Sequence, residues 1–231
     1  MEKTMIMLTK SRKMGHYCVA GIDIRTGEWI RVISEDMSIK QAITEEHMRY
    51  YDGSSTSVLD VVKVICKARQ PNYYQPENWI IDDRYHWKKI RRSTLQEVIR
   101  LCKPCKERYI FYNHDRAVAS DDLRTQAVNM GSLKLIKPEN VIIHIHVLPW
   151  NNKRKIAASF SYDGISYRNF TITDPEYEKK YIQLPLGNYR VNGQIYFVIS
   201  FGDEYELDGK HYKLIATVFL DDSGDVPFLS Q

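Results

Sequence analysis

The sequence predicts a mainly β protein with short helices, built as two small β-barrels in tandem. Three observations carry this. Runs of aromatic and β-branched residues recur along the chain, bounded by Gly, Pro, Asn and Asp. The clearest stretch, residues 156–182, reads strand, tight turn at Asp163-Gly164, strand, then a helix opened by Asp174-Pro175. The two halves of the chain also repeat one order of elements.

In the first half, residues 5–9 form a short apolar run, and Lys10-Ser11-Arg12-Lys13 leads to a turn at Gly15. Residues 17–24 make the next strand, Arg25-Thr26-Gly27 turns the chain again, and residues 29–33 follow with Trp29 and Arg31 on one face and Ile30 and Val32 on the other. The spacing of Ile39, Ala42, Ile43 and Tyr50 predicts a helix over 38–50 with Ser38 as cap. Residues 58–68 read as a strand, and 70–78, with two prolines, as extended or irregular chain. Residues 93–102 are the strongest helix of this half, with Ser93 and Gln96 as a capping box and Pro104 beyond the end.

Residues 113–131 are polar and without period, and the domain junction is placed there or just after. Strands follow at 141–147, 155–162 and 165–172, then the helix from Asp174, where Tyr177, Tyr181 and Ile182 share one face. Residues 187–194 turn twice, and 195–201 with 211–220 form a closing hairpin.

Each half therefore gives a three-strand meander, a helix and further strand, the topology of the OB-fold, a small partly open barrel. The expected domains are 1–130, an N-terminal OB-like barrel with helical insertions and a basic region, and 131–231, a C-terminal OB-like barrel. Composition agrees with a soluble globular chain: 43% hydrophobic and 27% charged residues, with no apolar run long enough to span a membrane. The opening has only four apolar residues in a row, too few for a signal peptide, and the four scattered cysteines suit a reducing compartment, so a cytoplasmic location is expected. The net charge of +4 is uneven: residues 1–130 hold 22 Lys plus Arg against 17 Asp plus Glu, whereas 131–231 hold 11 against 12.

Short pieces in succession add a resemblance. Ser11-Arg12-Lys13 with Gly15, Cys18 and Ala20-Gly21, then Gly27-Glu28-Trp29-Ile30-Arg31, Tyr74-Gln75-Pro76-Glu77-Asn78, Ser132-Leu133-Lys134-Leu135-Ile136, Phe160 to Gly164 with Tyr167, Thr173-Asp174-Pro175 and Tyr212-Lys213-Leu214-Ile215-Ala216 together resemble a bacterial family described as a dual OB-containing domain. The resemblance implies two OB barrels. It brings no defined activity and no catalytic set. Val32 stands where a proline is expected after the arginine, and Phe201 where a leucine is expected before the glycine.

The residues that point to function are basic and aromatic. Between Arg84 and Arg108 lie nine Lys and Arg against Glu97 and Glu107, with Tyr85, Trp87 and Tyr109 among them. Phosphates attract such charge and rings stack on unpaired bases. The expected nucleic-acid-binding residues are Trp87, Lys88, Lys89, Arg91 and Arg92, with Lys10, Arg12, Lys13, Trp29 and Arg31 as a second group. The alternative for the basic run is a solvated helix and its flanks; for Trp29 and Arg31 it is a core ring covered by the arginine stem. Cys102-Lys103-Pro104-Cys105 has the C-x-x-C spacing but closes a helix rather than opening one, and reads as plain thiols. His144 and His146 read as the solvent side of a half-buried strand, and no metal or cofactor is expected. The leading expectation is a non-enzymatic module binding nucleic acid, single-stranded by preference; the alternatives are a protein-interaction scaffold and a nucleic-acid- or nucleotide-processing enzyme.

Overall fold

A computed structural model describes residues 1–126 and 131–220. The chain divides into two compact units, Met1–Lys103 and Pro104–Gln231. The sequence reading places its division at 130/131.

The first unit has six strands: β1 (Glu2–Lys13), β2 (His16–Asp23), β3 (Trp29–Ile33), β4 (Asp60–Arg69), β5 (Asn78–Ile81) and β6 (Lys88–Arg92). The order β1-β2-β3-β5-β4 closes on itself because β4 also pairs with β1, which gives a closed five-stranded barrel. β3 and β5 run parallel, with Arg31, Val32 and Ile33 opposite Asn78, Trp79 and Ile80; the other pairs are antiparallel. This is the OB order of strands. β1 serves two neighbours: Glu2 to Ile6 pair with β4, and Met5 to Lys13 with β2. The strand bends between them at a bulge around Leu8. Gly21 lies opposite that bend, where a Cβ would stand 2.1 Å from the Ile6 carbonyl oxygen, so only glycine lets the two backbones approach. Met5, Met7, Val19, Ile30, Val32, Val62 and Val64 fill the interior.

The helix expected over 38–50 is absent. A single 3-10 turn, Met37–Ile39, is followed by Lys40 and Gln41, both left-handed (φ 50° and 59°), which ends any right-handed helix. Of the apolar residues that suggested helical spacing, Ile43 bridges Tyr17 and enters the core with Tyr50, joined there by Met48; Ala42 is buried, and Ile39 stays half-buried. Helix α1 (Leu95–Leu101) forms as expected, but its box shifts by one residue: Thr94 Oγ1 accepts from Glu97 N at 3.2 Å, and Ser93 donates to the Glu97 carboxylate at 2.7 Å.

The second unit contains β7 (Ala117–Ala119), α2 (Ser120–Gln126), β8 (Leu133–Ile136), β9 (Glu139–Val147), β10 (Arg154–Tyr162), β11 (Ile165–Thr171), α3 (Pro175–Tyr181), β12 (Gly187–Arg190), β13 (Ile195–Tyr205) and β14 (Lys210–Leu220). Two four-stranded sheets, β11-β10-β9-β12 and β7-β14-β13-β8, make a half-barrel. Asp163 (φ 49°) and Gly164 (φ 72°) form the β10–β11 turn, and Asp174 caps α3 by accepting from Glu176 N and Tyr177 N. Phe160 centres an aromatic core, 5.3–5.5 Å from Tyr167, Phe170 and Phe197 by ring centroid. Polar residues 113–126, read as junction, supply β7, which pairs with β14, and α2.

Candidate nucleic-acid interface

β6 consists of Lys88, Lys89, Ile90, Arg91 and Arg92, all exposed. It pairs on one side only, with β4, and so forms an edge; charge on an edge keeps it from pairing with other chains. Trp87, immediately before it, is 2% exposed in the barrel core and bridges Tyr50, which fixes where the basic strand starts. The indole is thus an anchor, and the rings that face solvent are others. Tyr51 is 91% and Tyr85 53% exposed, and both line a groove of about 670 Å³ together with Lys63, Arg84, His86 and Lys88. Tyr51 and His86 meet edge to face at 6.0 Å, and the Arg84 guanidinium lies 5.8 Å from the Tyr85 ring centre. Flat rings beside cations can stack on bases while the charges hold phosphates.

Much of the charge in the basic run is already answered. Lys89 and Arg92 share Asp60, at 2.7 and 3.3 Å, and Asp60 also accepts from Tyr50 Oη (2.9 Å) and Ser57 N (3.0 Å). Burial alone would raise the Asp60 carboxyl, yet Lys89, the Ser57 amide and Tyr50 together hold it below its usual range. Arg91 grips Glu97 bidentately at 2.7 and 2.6 Å and, with Ser93, holds that carboxyl at about 2. Arg84 does the same to Asp82, at 2.8 and 2.7 Å, holding it at about 2. Lys63 pairs with Glu2 at 2.8 Å. Lys88 has no acidic partner among the described residues, and two cations on Asp60 leave one positive charge over. Net attraction for a polyanion therefore concentrates at Lys88 and the Lys89–Arg92 pair, beside the exposed rings.

The second expected group is divided by strand register. Lys10 and Arg12 lie opposite Val19 and Tyr17, on the face turned to the barrel interior, whereas Trp29 and Arg31 lie opposite Ile22 and Ala20, on the other face. Lys10 binds Glu45 at 3.0 Å and lies over the Tyr17 ring. Arg12 is exposed and Lys13 half-buried in the hairpin, and Trp29 is half-buried. Arg31 is 2% exposed and bonds Glu77 at 3.4 Å. Ala20, Ile22, Arg31 and Ile33 are all buried, so the outer face of β2 and β3, where OB barrels often bind, is not open here. Tyr51 and Lys63 carry no signal in the sequence as site residues; β4–β6 pairing sets Lys63 opposite Lys88, and the Tyr50–Trp87 bridge brings Tyr51 to the same end, whereas His86 lies inside the basic run itself.

Elsewhere, His144 spends both ring nitrogens across strands: Nδ1 is 2.6 Å from Asn188 Oδ1, and Nε2 2.7 Å from Ser159 Oγ, which itself accepts from Asn169 N. Both ring nitrogens are therefore engaged within the sheet. Among the described residues no group of three or more His, Cys, Asp or Glu could hold a metal ion, no cysteine is in a disulfide, and no helix is long and apolar enough to cross a membrane.

No curated protein and no solved structure matches the chain significantly. The family model of the dual OB-containing domain matches residues 3–218, nearly the whole length. With one closed barrel in OB strand order and a half-barrel behind that match, the chain belongs to the dual OB-containing domain family.

Proposed function

We propose that this protein is a non-enzymatic nucleic-acid-binding module that takes single strands in the groove beside β6. The observation that carries the reading is the placement of exposed Tyr51 and Tyr85 beside Lys88 and Lys89 along one concave surface. Unpaired bases offer both faces to such rings, whereas a duplex hides them, which favours single strands. A cytoplasmic site of action fits the four cysteines outside any disulfide. The test is fluorescence anisotropy with labelled single-stranded DNA, single-stranded RNA and duplex DNA across a salt series. Tyr51→Ala and Tyr85→Ala should each weaken single-strand binding by about 1–3 kcal/mol. Lys88→Ala should flatten the salt dependence by about 0.7 in log–log slope, one phosphate contact. Affinity unchanged in all three variants would place the site elsewhere.

A second reading has its own observation, the unpaired edge of β6: its charge turns away most strands, so the polypeptide it would take as an added strand is an acidic one. It forecasts a specific protein in a pulldown whose capture survives Tyr51→Ala and Tyr85→Ala.

A further inference from the structure

The second unit carries a basic face of its own that no acid answers. In β9, β10 and β11, Ile145 and Ile156 are buried in the core, while His144, His146, Lys155 and Thr171 alternate with the core residues, half-buried on the other face. Register places Lys155 opposite His146, and Ala157 opposite both His144 and Thr171. Arg116 reaches this sheet: its guanidinium donates to the Asn169 carbonyl of β11 at 3.5 Å and lies 5.2 Å from the Tyr212 ring centre. Burial and Arg116 push the Lys155 pKa down, and burial, Lys155 and His144 do the same to His146; no carboxylate bears on either. Cations that repel one another with no acid between them attract an anion.

The end of this face says which anion. One rung past Lys155 and His146, the Arg154–Val147 pair closes the ladder, and the chain turns through residues 148–153. The turn is fixed: the Leu148 carbonyl accepts from Asn152 N at 3.0 Å, and Asn151 Oδ1 accepts from Lys153 N at 3.0 Å. Arg154 fastens its base to the Ile182 and Leu184 carbonyls at 2.8 and 3.0 Å. Trp150 stands on this turn 75% exposed, with exposed Asn151, Asn152 and Lys153 after it. An exposed ring alone is ordinary, but one held at the end of an unanswered basic face joins a stacking surface to an attraction for phosphate. A single indole among asparagines offers little apolar area to a bilayer, and an acidic peptide has no flat face to lay on it.

We infer that this face is a further contact surface for single-stranded nucleic acid, with phosphates along Arg116 and Lys155 and a base stacked on Trp150. It lies wholly within the second unit and does not rest on the reading of the β6 groove.

The experiment follows tryptophan emission of the whole chain, and anisotropy of the labelled ligand, with short oligo-dT and oligo-rU across a salt series. Trp29 and Trp79 are half-buried and Trp87 is buried, so quenching by a stacked base reports Trp150. Either oligomer should quench saturably. The quenching should persist in a Tyr51→Ala/Tyr85→Ala double variant and vanish in Trp150→Ala. In the double-variant background, Trp150→Ala should weaken binding at least about fivefold, the loss of one stacked base. Arg116→Gln and Lys155→Gln should each lower the log–log salt slope by about 0.7 there. Quenching lost in the double variant would assign the signal to the β6 groove, and equal quenching by oligo-glutamate would show that charge alone is at work. Emission that responds to phosphatidylserine vesicles but to neither oligomer would show a membrane surface. Each of these overturns the inference, as does affinity unchanged by Trp150→Ala.

Discussion

The two units solve the same closure problem with different means. In the first, β1 is one continuous strand that bends at the Leu8 bulge and reaches both β2 and β4, and three consecutive residues of β3 pair with β5. In the second, the corresponding role is split: β8 pairs with β13, β9 pairs with β10, and Lys137-Pro138 separates them. Proline has no amide for a ladder, so the strand breaks where it occurs. The parallel closure shrinks to one bridge, Ile172 to Ile215. Asp174 makes good part of the loss, since its second carboxylate oxygen accepts from Val218 N of β14 at 3.1 Å while its first caps α3. One barrel is thus closed by backbone pairing; the other stays a half-barrel, its two sheets joined by the Ile172–Ile215 bridge, the Thr173 amide on the Ile215 carbonyl at 2.8 Å, and Asp174.

That contrast can be broken from either side. Gly21→Ala should destabilise the first unit most, by about 4 kcal/mol, because its Cβ meets backbone at Ile6 that cannot yield. Urea unfolding should show the loss; a cost below about 1 kcal/mol would mean the β1–β2 contact is loose. Asp174→Ala should cost about 2–3 kcal/mol, the loss of a cap together with a buried amide on Val218 left without an acceptor. Asp174→Asn, which keeps one acceptor oxygen, should recover part of it.

The smallest effect sharpens the comparison through pH. Lys213 is fully buried in the second unit, its ammonium held by Asn113 O and Oδ1 at 2.7 and 2.8 Å, and burial drops its pKa to about 7. Between pH 7 and the unfolded value near 10.4 the unfolded chain holds a proton that the folded chain has released, so stability rises with pH in that window. Relative to Lys213→Met, the natural chain should gain about 1–2 kcal/mol from pH 7 to pH 9. A flat difference across that range would show the amine stays charged when folded.

Local chemistry made parts of the fold readable in advance. The Asp163-Gly164 turn, the Asp174-Pro175 helix start and the alternation of β3 each depend on a few adjacent residues. β6 was not readable as a strand, because an exposed basic edge has no apolar alternation. Residues 38–50 misled because helical spacing and the plugging of a barrel end both call for scattered apolar residues. The run of cations at the candidate site was visible, but its meaning was not: counting acids along the run finds Glu97 and Glu107, while Asp60 arrives from β4 and Asp82 stands two residues before the run begins. Opposite facing of Lys10 and Arg31 follows from register, which spacing within a single strand does not reveal.

Asp60 also complicates how any genetic survey of this protein would read. Its carboxylate, 0% exposed, ties Tyr50 and Ser57 of the barrel end to Lys89 and Arg92 of the edge strand. In a saturation scan scored only by ligand capture, Asp60 would rank beside the surface cations although no ligand can touch it. Lys89 and Arg92 would in turn score partly for fold, since removing both strands a buried anion. Lys88, Tyr51 and Tyr85 are the positions where such a score reports recognition alone.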